Sequence, residues 1–403
     1  MSISFLKYTL ILLLGGLTLF LWSCEEPDDG SFTPQVIQEP EPPADTSFTV
    51  EDPCLTSSCA LQSMTLDAGN SDLTMEFYAN YDVLREDAVW GTLKSAIIVV
   101  HGNNRNANEY FNWLTSTLLS LNKQNETILM APQFKINSDL GGNQDLIYWS
   151  SNGWKRGFQS NNITSVKYSS YEIVDSMIQV LSDKSRFPNL SKIIVTGHSA
   201  GAQFTGLYAA ASPMEDLVTG VDIEYIVANS QYFYYPGGER WNATSNQFEI
   251  PTGCADYTNW PYGFGNPTSY LSRFQQSDVS NRYVSRKVTF MLGTLDIFTN
   301  GTLNTSDCEA QLLGENRFIR GENMFRYIET FFPGVNGHQK VTVSNVGHDA
   351  AAMYNSGSML KKIGTNARKD IEEFLGKKVF LQLYVKISPG WKNNNQYLQG
   401  FGY

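Results

Sequence analysis

Histidine is scarce in this chain, with four in 403 residues. Any chemistry that needs an imidazole base must draw on His101, His198, His338 or His348. Cysteine is scarce too. None of the five stands in a C-x-x-C pair or beside histidine at zinc-ligand spacing, which argues against a structural metal or a dithiol redox centre. A long apolar run is missing. The stretch from Leu10 to Trp22 is interrupted by Gly15, Gly16 and Thr18. A membrane span needs about 20 apolar residues, so this run suits the hydrophobic region of a signal peptide over residues 1–23, with Lys7 as its flanking cation. Lysine and arginine are absent between Glu25 and Asp52, where nine acids accumulate among Pro, Ser and Thr. That composition predicts an acidic, disordered tether over residues 24–53. The formal net charge is −11. With the tether set aside, the body from Pro53 onward is close to neutral. No basic stripe then points to nucleic acid, and no strong field to a charged substrate. Repeats of solenoid period are also lacking.

What is present is a large supply of core. Hydrophobic residues make up 42% of the chain and aromatics 13%, enough to fill one large domain, expected over residues 54–387 with a tail at 388–403. The stretch from Thr65 to Tyr78 predicts two early antiparallel strands turning at Gly69-Asn70. Short apolar, mostly β-branched runs follow at Ala96–Val100, Thr127–Met130, Ile193–Val195, Ile223–Ala228, Val288–Leu292 and Lys340–Val343. Such runs are the mark of strands buried on both faces. Between them lie helical patterns: Asn106 to Leu121, Ser169 to Leu181 with Ser169 as N-cap, Ala200 to Ala211, and a closing helix from about Met359 to Phe374. Strand–helix alternation predicts an α/β architecture, a mostly parallel central sheet with helices on both faces. Two aromatic-rich insertions, about 134–167 and 231–282, break the rhythm. Loops of that length in a compact domain are usually functional. They supply Tyr148, Trp149, Trp154, Tyr232 and Trp260 as candidate substrate-binding residues.

The segment that carries chemistry is K-I-I-V-T-G-H-S-A-G, residues 192–201. Its end, Gly197-His198-Ser199-Ala200-Gly201, sets G-x-S-x-G between a β-branched strand and an Ala- and Gly-rich helix. A nucleophilic serine at such a junction needs a sharp, strained turn that lifts its hydroxyl clear of the sheet. The flanking glycines leave room where side chains would collide, and the helix that follows aims its free amides at the reacting centre. The segment resembles the nucleophile elbow of the α/β-hydrolase superfamily, particularly secreted esterase- and lipase-like serine hydrolases. That resemblance implies the α/β-hydrolase fold and a triad in the chain order serine, acid, histidine. Asp296, ending V-T-F-M-L-G-T-L-D, matches the acid, and His348, in V-S-N-V-G-H-D-A, matches the base. In those roles His348 takes the proton of Ser199, while Asp296 fixes the imidazole tautomer and stabilises its charged form. Asp307 is the substitute acid, and Asp349 is too close to His348 in the chain. His338 reads as a solvated loop residue and His198 as local packing within the elbow. The oxyanion donors are the backbone amides of Ala200 and Asn103, the latter in His101-Gly102-Asn103, an H-G-x form. Asn106 is expected to cap the helix that follows.

At the other end, Leu21-Trp22-Ser23-Cys24 followed by E-E-P-D-D-G resembles the bacterial lipobox, which implies acylation of Cys24, cleavage before it, and anchoring at an outer membrane or cell surface. Cys54, Cys59, Cys254 and Cys308 then remain, an even number with three possible disulfide connectivities; Cys54 with Cys59 and Cys254 with Cys308 is one of them. The expectation is a hydrolase of carboxylic esters working through an acyl-Ser199 intermediate, with no cofactor, metal or nucleic-acid partner, on an uncharged substrate such as an acylated glycan, lipid or polyester. The alternatives are a serine peptidase or amidase on the same fold, or a non-catalytic glycan-binding lipoprotein.

Overall fold

The structure, a computed structural model, describes residues 48–364. The signal segment, Cys24, the acidic stretch up to residue 47 and the tail at 388–403 lie outside the described residues. Ten strands are described: β1 Leu61–Asp67, β2 Asp72–Ala79, β3 Ser95–Val100, β4 Thr127–Pro132, β5 Lys192–His198, β6 Asp222–Ala228, β7 Arg240–Asn242, β8 Gln247–Glu249, β9 Lys287–Gly293 and β10 Gln339–Val343. Eight build one sheet in the order β1-β2-β4-β3-β5-β6-β9-β10, and β7 and β8 pair as a separate hairpin. β1 and β2 run antiparallel at one edge, and every pairing from β4 through β10 is parallel.

The run of β-branched residues in β3 shows why the middle of the sheet is buried on both sides. Ala96, Ile98 and Val100 enter one core cluster, while Ile97 and Val99 enter the other. β5 divides in the same way, with Ile193 and Val195 against Ile194. The first face is covered by helices Ser170–Leu181, Ala200–Ala211, Gln276–Ser285 and Arg317–Phe331, and the second by Ala107–Ser120, Ala350–Tyr354 and Gly357–Gly364. Neither face is left for solvent, so polar alternation within the central strands is absent.

Local signals act largely as expected. The β1–β2 turn places Gly69 at φ 84°, and Asp67 Oδ1 accepts its amide. Ser169 and Glu172 form a reciprocal capping box at the start of their helix. Asn106 occupies the N-cap position, but its amide turns to Glu109, and the first helical N–H, that of Ala107, goes to Gln133 Oε1 instead. The disulfides are Cys54–Cys59 and Cys254–Cys308.

Several expectations are corrected. Residues from Phe48 to Pro53 are not tether: Thr49 exchanges hydrogen bonds with Val89, at 2.7 and 3.0 Å, and Glu51 pairs with Arg85. The hairpin β7–β8 and the helices Gln276–Ser285 and Arg317–Phe331 fall where no element was expected. The closing helix begins at Gly357, and its described part ends at Gly364, with Met359 wholly buried beside Leu114 and Tyr354. His338 is buried, not solvated. Its Nε2 meets the Tyr283 carbonyl at 2.8 Å, and loss of hydration pushes its pKa down to about 4. The insertion after β6 owes its shape to buried arginines. Arg240 donates to the carbonyls of Gly237, Glu239, Tyr257 and Tyr262 and stacks on Tyr235, and Arg320 donates to Gly314, Gln231 and Asn304.

Candidate active site

β5 ends at the point where the chain must reverse into the Ala200–Ala211 helix, and Ser199 makes that turn at φ 59°, ψ −114°. A non-glycine residue reaches this region only when its surroundings hold it there. The two glycines show what holds it. A Cβ on Gly197 would lie 2.2 Å from the carbonyl carbon of Gly201, and one on Gly201 would lie 2.0 Å from the Val100 oxygen. Backbone therefore crosses backbone at both positions, and the Ser199 N–H is tied to the Ala228 carbonyl at 3.0 Å.

Three loops then converge. His348 Nε2 stands 2.9 Å from Ser199 Oγ, and His348 Nδ1 stands 2.8 Å from Asp296 Oδ2. Asp296 has no solvent exposure, whereas His348 keeps a partly open edge. Behind the carboxylate, Arg317 Nη1 lies 3.7 Å from Asp296 Oδ1 and Arg317 Nη2 donates to Thr302; burial lowers the guanidinium pKa even with that carboxylate beside it. Asp307 is turned away and accepts from Asn304 at 2.7 Å, so the substitute acid is not brought to the histidine. Asp349 caps the helix that follows through Ala352 N–H.

Asn229, at the end of β6, was invisible to pattern reading. Its Oδ1 accepts the Gly293 N–H at 2.8 Å and its Nδ2 donates to the Gly347 carbonyl at 2.9 Å. One side chain thus joins the acid loop to the base loop. A φ of 52° at Asn229, tolerated better by asparagine than by most residues, is the sole local mark of this duty.

On the opposite side, His101 is fully buried. The Phe134 N–H donates to its Nε2 at 3.0 Å, which leaves Nδ1 as the protonated nitrogen facing the Gly102 carbonyl at 2.9 Å. Burial pushes its pKa down to about 4, so the ring is a neutral brace for the loop. Asn103 and Ala200 line the same cavity as Ser199, of about 320 Å3, together with Lys155, Gln203, Gln231, Tyr232 and Thr302. Of the aromatic candidates, Tyr232 alone borders this cavity among the described residues. Trp149 and Trp154 belong to the core, packed with Phe134 and, for Trp154, against His101. Trp260 is buried and donates to the Arg156 carbonyl at 2.8 Å, and Tyr148 leans on Asn161. The aromatic area of Trp149, Trp154 and Trp260 is spent on packing, and none of these three lines the Ser199 cavity. A larger cavity, of about 1090 Å3, opens between the β7–β8 hairpin and the Arg317–Phe331 helix, and it shares no lining residue with the Ser199 pocket. Cys254, Cys308 and Glu309 cluster closely, but both sulfurs are committed to a disulfide and offer no thiolate to a metal.

Residues 355–392 match the family model of the KH domain. In sequence, GTPase Era of Caldanaerobacter subterraneus subsp. tengcongensis is 52% identical over 56 residues, 14% of this chain and 19% of that protein. GTPase Era of Coxiella burnetii is 53% identical over 47 residues, 12% of this chain and 16% of that protein. The chain spans less than a fifth of the length of these curated relatives. The KH-matching stretch holds Gly357, Gly364, Gly376 and Gly390, no two of them three apart, so the G-x-x-G loop that clamps a nucleic-acid backbone is not among its residues. It carries eight Lys and Arg against three Asp and Glu, leaving residues 53–354 with 28 acids against 20 bases. The apparent neutrality of the body is the average of a basic end and an acidic remainder. Among solved structures, poly(aspartic acid) hydrolase-1 from Sphingomonas sp. KT-1 superposes with a TM-score of 0.51 at 16% identity, over 75% of this chain and 97% of that one. The poly(3-hydroxybutyrate) depolymerase LpqC of Bordetella parapertussis gives 0.49 at 17%, over 73% and 85%. At these identities the likeness is one of architecture: the chain has the α/β-hydrolase fold.

Proposed function

We propose that this protein is a serine hydrolase that cleaves carboxylic esters through an acyl-enzyme on Ser199. The observation that carries the reading is the unbroken line Ser199 Oγ, His348, Asp296, at 2.9 and 2.8 Å, opening into a cavity. His348 accepts the Ser199 proton as Oγ attacks the ester carbonyl, and the buried Asp296 carboxylate holds the Nδ1–H tautomer and balances the imidazolium. The backbone amides of Asn103 and Ala200 are assigned to the oxygen that becomes negative in the tetrahedral intermediate. His348 then gives its proton to the departing alcohol, and water repeats the sequence on the acyl-enzyme.

The test is a fluorophosphonate probe combined with short-chain nitrophenyl esters and aminoacyl nitroanilides. The wild type is expected to be labelled and to turn over the esters in preference to the anilides, while Ser199→Ala loses both label and turnover. Labelling that persists in Ser199→Ala, or none in a folded wild type, would sink the proposal. Faster anilide cleavage would transfer the site to amides.

A further inference from the structure

Lys155 is the one Lys or Arg among the described residues that line the Ser199 cavity, and no ion pair with an acid is seen for it. Its Nζ donates to Asn103 Oδ1 at 2.7 Å and to Asn152 Oδ1 at 3.3 Å. An ammonium carries three donors, so one has no hydrogen-bond acceptor, with the Trp154 ring 5.7 Å from Nζ as its other neighbour. Among the described residues no carboxylate pairs with it, and none lines the cavity. The nearest charges are of its own sign, Arg156 and Arg105. Arg105 is itself neutralised by Asp139 at 2.5 Å. Burial, then these two guanidinium groups, push the Lys155 pKa down to about 8. A second donor in the same cavity is also unspent. Gln203, one turn into the elbow helix and 2% exposed, has an amide Nε2 with no acceptor. A buried donor without an acceptor destabilises the empty pocket, and a ligand oxygen would relieve it. Lys155 has only neutral amide oxygens as acceptors and Gln203 Nε2 has none, although acids outnumber bases over residues 53–354.

We infer that Lys155 and Gln203 form a subsite for a carboxylate carried by the substrate close to its scissile ester. This inference rests on the serine esterase reading and narrows its substrate to acidic esters, against the uncharged class that bulk charge balance suggests. The Lys155 ammonium supplies the charge, and the Gln203 amide supplies a fixed donor on a rigid helix. Because Lys155 also holds the side chain of Asn103, a bound carboxylate is registered against the loop assigned to the oxyanion.

The experiment compares kcat/KM within two ester pairs of matched size. Monoethyl succinate against ethyl butyrate places the carboxylate on the acyl side, and O-acetylglycolate against ethyl acetate places it on the alcohol side. The wild type is expected to prefer the acidic member of at least one pair, and Lys155→Met to reduce that preference by roughly 10- to 100-fold, the scale of a hydrogen bond to a charged group. Lys155→Arg should keep most of the preference, and Gln203→Leu should lose part of it. Because kcat/KM reports the free enzyme, the wild-type preference should also fade as pH rises from 7 through 9 and Lys155 gives up its proton. No preference in either pair, or a preference that survives Lys155→Met in a folded variant, overturns the inference and leaves the esterase reading standing. Absence of turnover on all four esters overturns this inference alone if nitrophenyl esters are still cleaved, and the esterase reading with it if they are not.

Discussion

On the serine-esterase proposal, Asn229 is the residue that joins the geometry of the Ser199, His348, Asp296 line to the proposed chemistry. Asp296 and His348 sit on separate loops after β9 and β10, and nothing in their own sequence sets the 2.8 Å between them. The Asn229 amide does so by holding Gly293 and Gly347 at once. Replacing it with alanine leaves the buried Gly293 N–H without a partner, at about 1–3 kcal/mol, and frees the part-buried Gly347 carbonyl. Asn229→Ala is therefore expected to lower kcat for a nitrophenyl ester by roughly 10-fold or more, since angstrom-scale misplacement is costly in a preorganised site. KM should change much less, and urea unfolding should record a loss of stability. A kcat equal to wild type would show that the clamp has no bearing on the reaction. Asp296 shows the same dependence on surroundings. It is wholly buried, with Arg317 Nη1 3.7 Å from one carboxylate oxygen and His348 Nδ1 2.8 Å from the other.

At the scale of elements, the site is a meeting of strand ends with two insertions that have little secondary structure of their own. The second insertion is held from within by Arg240 and at its edge by the Cys254–Cys308 bridge, which encloses 54 residues of chain separation. Thr302 and Tyr232, both on the cavity wall, lie on the two sides of this bridge, and Asn304 ties them further by donating to the Tyr232 hydroxyl at 2.9 Å. A loop of that size restricts the unfolded chain by about 4 kcal/mol. The double variant Cys254→Ser, Cys308→Ser should lose stability of that order in denaturant unfolding, and mild reduction of the wild type should do the same. If the unfolding midpoint is unmoved, the insertion is held by its arginine network alone. The closing helix belongs to this scale as well. Met359 places the start of the KH-matching stretch inside the core on the second face of the sheet, so that stretch begins as part of the fold.

For the whole molecule, histidine burial has a consequence in acid. His101 and His338 both titrate near 4 in the folded chain and near 6.5 when unfolded. Between those values the unfolded chain binds protons that the native state refuses, so stability rises with pH and is lost as pH falls from about 6.5 toward 4. Each histidine accounts for about 3 kcal/mol when the full window is crossed. Urea unfolding at pH 7.5 and pH 4.5 should show a clear loss at the lower pH, and His338→Gln should flatten part of it. Equal stability at the two values would contradict the burial argument. Charge also acts at this scale. The body is acidic on balance, the KH-matching end is basic, and the pocket has its own local cation in Lys155, so net charge is a poor guide to the field at Ser199.

The elbow and the positions of Asp296 and His348, which the structure brings into one hydrogen-bonded line with Ser199, were legible in the chain because each is a local event. G-x-S-x-G needs its glycines within two residues of the serine, and Asp296 and His348 each follow a strand whose β-branched pattern is its own signal. The alternating faces of β3 and β5, and the capping box at Ser169, were legible for the same reason. The Arg317–Phe331 helix was not, since its mean hydropathy is low and its apolar residues matter only once the β9 face exists to receive them. Nor was the fate of Trp149, Trp154 and Trp260: an aromatic side chain in a loop packs or binds according to what lies opposite, and sequence does not place the opposite wall. Asn229, Lys155 and Gln203 belong to that second class. The partners of Asn229 and Lys155, and the cavity that Gln203 shares with Lys155, are built from residues dozens of positions away, and such juxtapositions are set only when the sheet has closed and the loops have come to rest upon it.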